Sequence, residues 1–230
     1  MTAKGRRELA AAFRASVPVM MGYGVLGFSF GLLAVSQGLA WQWPALMSLL
    51  IYAGALQFLA VGMLQAKAGM PELFVAAIFV NIRQAFYGLS LLKKFKKSGR
   101  LKPYLIFALT DETYALITTV EPDPQFKRRL YYFYLALLDQ SYWVSGTLAG
   151  ALFGSMVHFD SRGIDFALTA LFVVLAMEQY KARRRRTPFL IGAGASLIAL
   201  AGVPTDRMLI ASIVLALIGM FLFAKRIDNE

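Results

Sequence analysis

The chain has 230 residues, of which 58% are hydrophobic and 16% are charged, and it contains no cysteine. A typical soluble domain has about 25% charged residues, so this composition indicates an integral membrane protein. The absence of cysteine excludes disulfides, thiol catalysis and cysteine-ligated metals. The formal net charge is +11. Its basic residues lie in short runs between apolar stretches, which predicts loops that contact membrane lipids and no binding of nucleic acid.

In chain order, residues 1–16 are predicted to be a cytoplasmic N-terminal segment, because the apolar stretch after them is too long for the core of a cleaved signal peptide. Apolar stretches of about 20 residues, the length of one membrane crossing, then follow with short connections. They predict a single all-α polytopic membrane domain over residues 1–230, with a short cytoplasmic tail at 225–230. The eight predicted segments are 17–37, 44–65, 71–92, 103–120, 130–157, 164–177, 188–203 and 208–224.

The first segment is rich in glycine, at positions 22, 24, 27 and 31, which predicts an unwound or broken helix. A second glycine stripe follows at 146, 150 and 154. The two stripes have two interpretations, an internal repeat of the kind found in transporters or close packing of membrane helices. The second is the more common origin of such stripes.

Eight simple crossings conflict with the positive-inside rule, because the basic loop at 93–102 then falls outside. The conflict disappears if two segments enter and leave the membrane on the same side. The candidates are the glycine-rich first segment and the short fourth segment. We therefore predict seven to eight hydrophobic segments with one or two of them broken or re-entrant; the alternative is one loop that violates the rule.

Polar residues inside the second and third segments are candidates for function. Gln57 is an amide that could contact a substrate or hydrogen-bond a neighbouring helix. Arg83 lies in the middle of the third segment, on a helical face shared with Tyr87 and close to Asn81. Its guanidinium could hold a carboxylate through two parallel hydrogen bonds. It could equally form a structural ion pair with an acid of the fourth segment, and both interpretations stay open.

The fourth segment carries the adjacent acids Asp111 and Glu112. An ionised residue at the centre of a membrane helix costs about 2.5–3.5 kcal/mol on insertion scales, so such residues indicate function. On a regular helix the two acids point about 100° apart, which predicts different roles. One would pair with Arg83 and the other would receive an amino group or a proton, because mutual repulsion favours protonation of one acid. Asp139, in the fifth segment, is interpreted as a structural anchor near the basic residues 127–129. The alternative is that it faces the helix bundle, because it shares a helical face with Trp143 and the glycine stripe at 146, 150 and 154.

The sequence offers no pattern typical of an enzyme. His158 is the only histidine, so a site with two histidine ligands is excluded, and no serine is placed beside it as a nucleophile. A phosphate-binding loop of the GxxxxGK[ST] type is also absent from the sequence. We therefore predict a protein without catalytic residues, cofactor or metal.

Four motifs in the order PVMMGYGVLGFSFG, MSLLIYAGALQF, VNIRQAFYGLSL and LTDETYAL resemble the AzlC family. This family is the large subunit of two-component branched-chain amino acid exporters, also described as branched-chain amino acid permeases. The resemblance runs from about residue 17 to 154 and is looser beyond. It implies export of leucine, isoleucine and valine, with methionine as a further candidate, across the bacterial inner membrane. It also implies a small hydrophobic partner subunit of the AzlD type.

The resemblance carries functional roles to matching positions of this chain, which are Gln57, Asn81, Arg83, Asp111 and Glu112. The family often has histidine after the arginine, where this chain has Gln84. If that histidine carries protons in other members, the proton here would fall to Asp111 or Glu112.

A zwitterionic amino acid needs a cation for its carboxylate, an anion for its amine and an apolar wall for its side chain. Backbone amides of a broken first helix could join the arginine, since half-helix N-termini attract anions. Asp111 and Glu112 are predicted to couple transport to protons. The alternatives are a channel-like pore and a non-transporting scaffold with a structural Arg83–Asp111 pair. The predicted substrate-binding residues are Arg83, Asn81, Gln57, Phe28, Phe58, Gly24 and Gly27.

Overall fold

The structure is a computed structural model that describes residues 3–157, 173, 177, 186–204 and 208–223. The described residues form α-helices and one short 3-10 turn, Gly99–Leu101, with no strand among them. The predicted all-α class is therefore confirmed for this part of the chain. The helices are α1 (Ala3–Ser36), α2 (Gln42–Leu50), α3 (Gly54–Gln65), α4 (Met70–Phe95), α5 (Lys102–Phe107), α6 (Asp111–Thr119), α7 (Arg128–Met156), α8 (Thr187–Gly202) and α9 (Met208–Leu222).

The chain divides into two compact units, residues 1–65 with 77–164, and residues 66–76 with 165–230. In the first unit the largest helix–helix interface joins α1 and α7, and α2 packs against α7 as well. In the second unit α8 and α9 pack against each other. The sixth predicted segment, 164–177, lies outside the described residues except for positions 173 and 177, as do His158 and the tail at 225–230.

Two helices, Gly5–Ser36 and Met70–Phe95, are long and apolar enough to cross a membrane by length and composition. The helices Gly54–Gln65, Thr187–Gly202 and Ala211–Leu222 are apolar but shorter. The number of crossings, seven to eight, stays a prediction.

The prediction of a broken first segment is wrong, because α1 is one continuous helix through its glycines. Gly27 and Gly31 are buried against the backbone of α7, where a Cβ on Gly27 would lie 2.8 Å from the carbonyl oxygen of Trp143. The missing side chains therefore allow two backbones to approach closely, which is the packing interpretation of the stripes. The amides of Gly24 and Gly27 belong to a regular helix, so the exposed amides expected for a substrate carboxylate are absent there.

In the structure, the helices are interrupted within the second and the fourth predicted segments. The predicted break in the fourth segment is confirmed, since α5 ends at Phe107 and α6 begins at Asp111. The break between α2 and α3 is not predicted by the sequence. There Tyr52 has a φ of +47°, a left-handed conformation that bulky residues rarely adopt.

Candidate functional site

An ion pair joins the middle of α4 to the first turn of α6. Arg83 Nη1 lies 2.6 Å from Asp111 Oδ2, and both side chains are about one-third exposed, at 37% and 35%. The hydroxyl of Tyr87 donates to Asp111 Oδ1 at 2.7 Å. The predicted pairing of Arg83 with one of the two acids is therefore confirmed, and both oxygens of Asp111 have a partner.

This contact continues along one face of α4 as a polar ladder, made of Arg83, Tyr87, Ser90 and Lys94. The rings of Tyr87 and Tyr114 stack with centroids 4.3 Å apart, and Ser90 Oγ donates to the Tyr114 hydroxyl at 3.3 Å. Lys94 Nζ then donates to the carbonyl oxygen of Ile117 at 2.9 Å, near the C-terminal end of α6. Ladder residues recur every three or four positions, which places them on one helical face.

Glu112 has a different partner from Asp111, as the sequence predicts. Its carboxylate is exposed and accepts a hydrogen bond of 2.6 Å from the hydroxyl of Tyr23 on α1. The ring of Tyr23 is buried and packs edge-on against Trp143, with centroids 5.4 Å apart. Carboxylates in the first turn of a helix are stabilised by the positive end of its dipole, so both acids suit the start of α6.

A series of hydroxyl groups leads from Tyr23 into α7. Tyr23 also approaches Thr110 Oγ1 at 2.7 Å, and Thr110 Oγ1 donates to Thr113 Oγ1 at 3.1 Å. Thr113 Oγ1 donates to Asp139 Oδ2 at 2.7 Å. Thr110 is also the N-cap of α6, because its hydroxyl oxygen accepts from the amide of Thr113. The hydroxyls of Tyr23, Thr110 and Thr113 are called the hydroxyl chain below.

The hydroxyl chain ends at Asp139, which is fully buried, with 0% of its surface exposed. Its Oδ1 atom has no hydrogen-bond partner in the described part of the chain. The interpretation of Asp139 as an anchor near the basic residues 127–129 is wrong, since its hydrogen-bond donor is Thr113. The alternative, in which Asp139 faces the helix bundle, is confirmed by its burial. The sequence does contain a signal for a buried polar site here, because the carboxyl group of Asp139 and the amide of Gln140 are adjacent within a long apolar segment.

The two helix breaks meet beside this part of α7. Tyr52 lies in the break between α2 and α3, and Phe107 is the last residue of α5. The centroids of their rings are 6.4 Å apart. Gln140 connects the same elements: its Oε1 accepts from the Tyr104 hydroxyl at 2.8 Å and its Nε2 donates to the Leu49 carbonyl at 3.1 Å. Sequence reasoning missed Tyr52, Tyr104 and Gln140.

Gln57 is the centre of a second, fully buried hydrogen-bond network. Its Nε2 donates to Ser48 Oγ at 3.0 Å, and its Oε1 accepts from Trp143 Nε1 at 3.0 Å. Ser48 Oγ in turn donates to Thr147 Oγ1 at 2.8 Å. The amide thus holds α2, α3 and α7 together, which favours the helix-packing alternative for this residue.

The other predicted substrate residues lie in separate places. Phe58 is buried against Phe30, with ring centroids 5.2 Å apart. Phe28 is half-buried and lies 5.7 Å from Phe153 between α1 and α7. Asn81 is half-buried on α4, two residues before Arg83. The structure therefore groups Arg83 with Asp111 at the start of α6, next to Glu112, and places Phe58 with Gln57 around Trp143. Asn81 is on a different face of α4 from Arg83.

The described residues hold no group of three or more histidine, cysteine, aspartate or glutamate side chains that could bind a metal ion. The candidate site in this part of the chain is thus the polar ladder with its partner Asp111, together with Glu112 and the hydroxyl chain to Asp139. It contains one guanidinium, one ammonium, three carboxyl groups and several hydroxyls, which are groups suited to a zwitterion and to protons.

Comparisons with known proteins place the chain in a family. The family model described as AzlC protein matches residues 18–157. The chain is 38% identical to an uncharacterized membrane protein of Helicobacter pylori (strain ATCC 700392 / 26695), over 94% of this chain and 95% of that one. It is 32% identical to the branched-chain amino acid transport protein AzlC of Bacillus subtilis, over 96% and 88% of the two chains. It is 29% identical to the inner membrane protein YgaZ of Escherichia coli, over 87% and 83%.

No solved structure gives a significant match. The family model covers more than half of the chain, and two of these relatives exceed 30% identity along nearly its whole length. The protein therefore belongs to the AzlC family.

Proposed function

We propose that this protein is the large subunit of a secondary transporter that exports branched-chain amino acids from the cytoplasm in exchange for protons. The observation that carries the proposal is the meeting of Arg83, Asp111 and Glu112 at a helix break. Broken helices place ionisable groups and free helix ends at the binding sites of secondary transporters. The family, and the name of the relative from Bacillus subtilis, support amino acids as the substrate class.

Arg83 is proposed to bind the substrate carboxylate. The ion pair with Asp111 is made by Nη1 of its guanidinium, and its Nε atom is buried without a hydrogen-bond partner in the described part of the chain. A guanidinium has five N–H donors in a planar fork, so it can bind a second carboxylate while it remains paired with the first. Asn81 lies two residues earlier on the same helix, about 200° around its axis from Arg83, so the position of Arg83 gives no support to a shared substrate contact.

Glu112 is proposed to bind the substrate amine or the coupling proton. Asp111 is already neutralised by Arg83, whereas in the described part of the chain the carboxylate of the exposed residue Glu112 accepts its hydrogen bond from the neutral Tyr23. Binding of an ammonium group and binding of a proton would therefore compete at the same carboxylate, and such competition makes exchange obligatory. The ion-coupling role shared by Asp111 and Glu112 in the sequence would then rest mainly on Glu112.

The apolar wall of the site is proposed to include Phe28 and Phe58, with Gln57, Gly24 and Gly27 behind it. In the structure these residues pack within the α1–α3–α7 core, and Tyr23 connects them to Glu112 through its ring contact with Trp143. Access of a branched side chain to this region requires a conformational change, as alternating access does in transporters generally. A small AzlD-type subunit is proposed as the partner, in a multi-pass assembly in the bacterial inner membrane.

Efflux from proteoliposomes tests the proposal. Vesicles containing the chain and an AzlD-type subunit are loaded with labelled leucine, with and without a pH gradient. We expect efflux that depends on the gradient, loss of efflux in Arg83→Gln and Glu112→Gln, and no loss in the exposed loop variant Glu121→Gln. Absence of leucine movement in the wild type would overturn the exporter proposal.

The short ion pair itself favours one rival, a scaffold in which Arg83 and Asp111 only hold α4 to α6. Exchanging the two residues, Arg83→Asp with Asp111→Arg, discriminates between these functions. A structural pair tolerates the exchange, so stability and efflux would both recover in the double variant. A substrate-binding Arg83 requires the cation on α4, so stability would recover while efflux stays low.

A further inference from the structure

Asp139 has an environment that a permanently ionised carboxylate would not tolerate. It is fully buried, and an unpaired buried charge is strongly unfavourable unless it is neutralised by a partner or a proton. In the part of the chain that the structure describes, the ionisable groups that interact with it electrostatically, from its own helix and from those packed against α7, are Tyr52, Tyr104, Tyr131 and Glu112. None of these is a cation. Arg83 is bound to Asp111 on the other side of α6.

The hydroxyl chain supplies a route by which this carboxylate can be neutralised. From the exposed Glu112 the heavy-atom separations are 2.6 Å to Tyr23, 2.7 Å to Thr110, 3.1 Å to Thr113 and 2.7 Å to Asp139. Each separation is within hydrogen-bond range. Thr110 donates to Thr113 and Thr113 donates to Asp139, so these two donors point toward the buried carboxylate. The single hydroxyl hydrogen of Tyr23 can be donated to Glu112 or to Thr110, and it is donated to Thr110 when Glu112 is protonated.

We propose that Glu112 and Asp139 exchange a proton through the hydroxyl groups of Tyr23, Thr110 and Thr113, and that Asp139 is the buried proton-binding site of the transporter. This inference rests on the proposed function and deepens it, because it assigns the coupling proton to a residue outside the substrate-binding pair. Glu112 is then the group that receives the proton from water, and Asp139 is the group that stores it.

The transfer is balanced at every hydroxyl. Protonated Glu112 gives its proton to the oxygen of Tyr23, which releases its own proton to Thr110. Thr110 passes its hydroxyl proton to Thr113, and Thr113 passes its proton to Asp139 Oδ2. At the end Glu112 is a carboxylate, Asp139 is a neutral carboxylic acid, and the three residues between them are again neutral hydroxyls that accept and donate in the opposite sense.

The decisive substitution is Thr113→Val, which removes one hydroxyl and keeps the shape of the side chain. Efflux driven by a pH gradient is compared with leucine–leucine exchange at equal pH, in vesicles that contain the partner subunit. Proton transfer by positioned groups contributes about 10²–10⁴-fold, so we expect driven efflux to fall at least about ten-fold more than exchange does. Thr113→Ser should retain driven efflux. Thr118→Val is the matched control, because Thr118 is exposed on the same helix and bonds only to its own helix backbone.

A loss of efflux and exchange in equal measure, at an unchanged melting temperature, would overturn the relay. Equal rates in Thr113→Val and the wild type would also overturn it. A wild type that follows a sodium gradient at constant pH would assign the site to Na⁺ and contradict the proton proposal.

Infrared titration of the purified protein gives a readout that does not depend on transport. The carbonyl band of a protonated carboxyl group is expected in the wild type and in Glu112→Gln, and is expected to disappear in Asp139→Asn. An unchanged band in Asp139→Asn would contradict proton binding at Asp139. If the band behaves as expected while the wild type moves no leucine, the exporter proposal fails and the proton site stands.

Discussion

Gly146 of α7 lies directly against the main chain of Tyr23 on α1. A Cβ atom on this glycine would be 2.9 Å from the carbonyl oxygen of Tyr23 and 3.0 Å from that of Gly24. The glycine stripe therefore fixes the position of the tyrosine whose hydroxyl contacts Glu112. Helix packing and the candidate site depend on the same contact.

Replacing Gly146 by alanine should destabilise this interface. The neighbouring atoms belong to backbone and cannot rotate away, and overpacking of this kind costs about 1–3 kcal/mol. We expect a lower melting temperature in detergent, measured by tryptophan fluorescence. Gly22→Ala is the control, since a Cβ there meets nothing within 4 Å, and alanine should gain up to about 1 kcal/mol from helix propensity. Equal melting temperatures for the two variants would contradict the packing.

Gln57→Ala should destabilise the protein without a specific effect on substrate affinity. The substitution leaves the indole N–H of Trp143 and the hydroxyl of Ser48 with one partner fewer in a fully buried place. Each unsatisfied group costs about 1–3 kcal/mol. Melting temperature and the KM for leucine are measured together, with the exposed Gln125→Ala as control. A raised KM at normal stability would instead support the substrate-binding role predicted for Gln57.

Tyr87→Phe should remove one stabilising interaction with Asp111 and preserve the stacking of the aromatic ring on Tyr114. The variant removes one hydrogen bond of 2.7 Å to Asp111 Oδ1 and keeps the aromatic contact. A double-mutant cycle with Asp111→Asn should give a coupling energy of about 0.5–3 kcal/mol, as for residues in one network. The same cycle with Tyr134→Phe, whose ring packs against Phe133, should give a value near zero. Additive effects of Tyr87→Phe and Asp111→Asn would exclude the coupling.

Cysteine labelling tests the orientation of the basic loops. If the broken second and fourth segments both begin and end on the same side, and the N-terminus is inside, the loops at 93–102 and 121–127 are both cytoplasmic. Single variants Lys97→Cys and Gln125→Cys should then react from the same side, and Ala40→Cys from the other. All three positions are exposed, and the chain has no cysteine of its own. Reaction of Lys97→Cys from the outside would contradict this topology.

The charged pairs were the most predictable part of the candidate site. Adjacent acids on a helix must point apart, so separate partners for Asp111 and Glu112 follow from helical geometry alone. The partner of Arg83 also follows, because few counter-charges exist in these apolar segments. The identity of the hydrogen-bond donor to Glu112 did not follow, since Tyr23 lies on a helix distant in sequence.

Of the two helix breaks, the sequence predicts the one in the fourth segment and not the one between α2 and α3. Thr110 followed by two acids is a typical helix start, and α6 begins there. The glycine content of α1 predicted a break that the structure does not show. The backbone of α7 occupies the space beside Gly27 and Gly31, and all four glycines of this stretch remain helical. The break at Tyr52 has no local signal, because tyrosine does not favour a positive φ and only its tertiary surroundings stabilise that conformation.

The polar ladder also determines which contacts of α6 can change during a transport cycle. Arg83 holds the first turn of α6 and Lys94 holds a carbonyl near its last turn, so both ends of this nine-residue helix are attached to α4 by cations. Toward α1 and α7 the same helix is attached through Glu112, Thr110 and Thr113 by single hydroxyl bonds. Water can replace such bonds at little cost. Opening between α6 and the α1–α7 pair would therefore leave the ion pair intact and admit water beside Glu112.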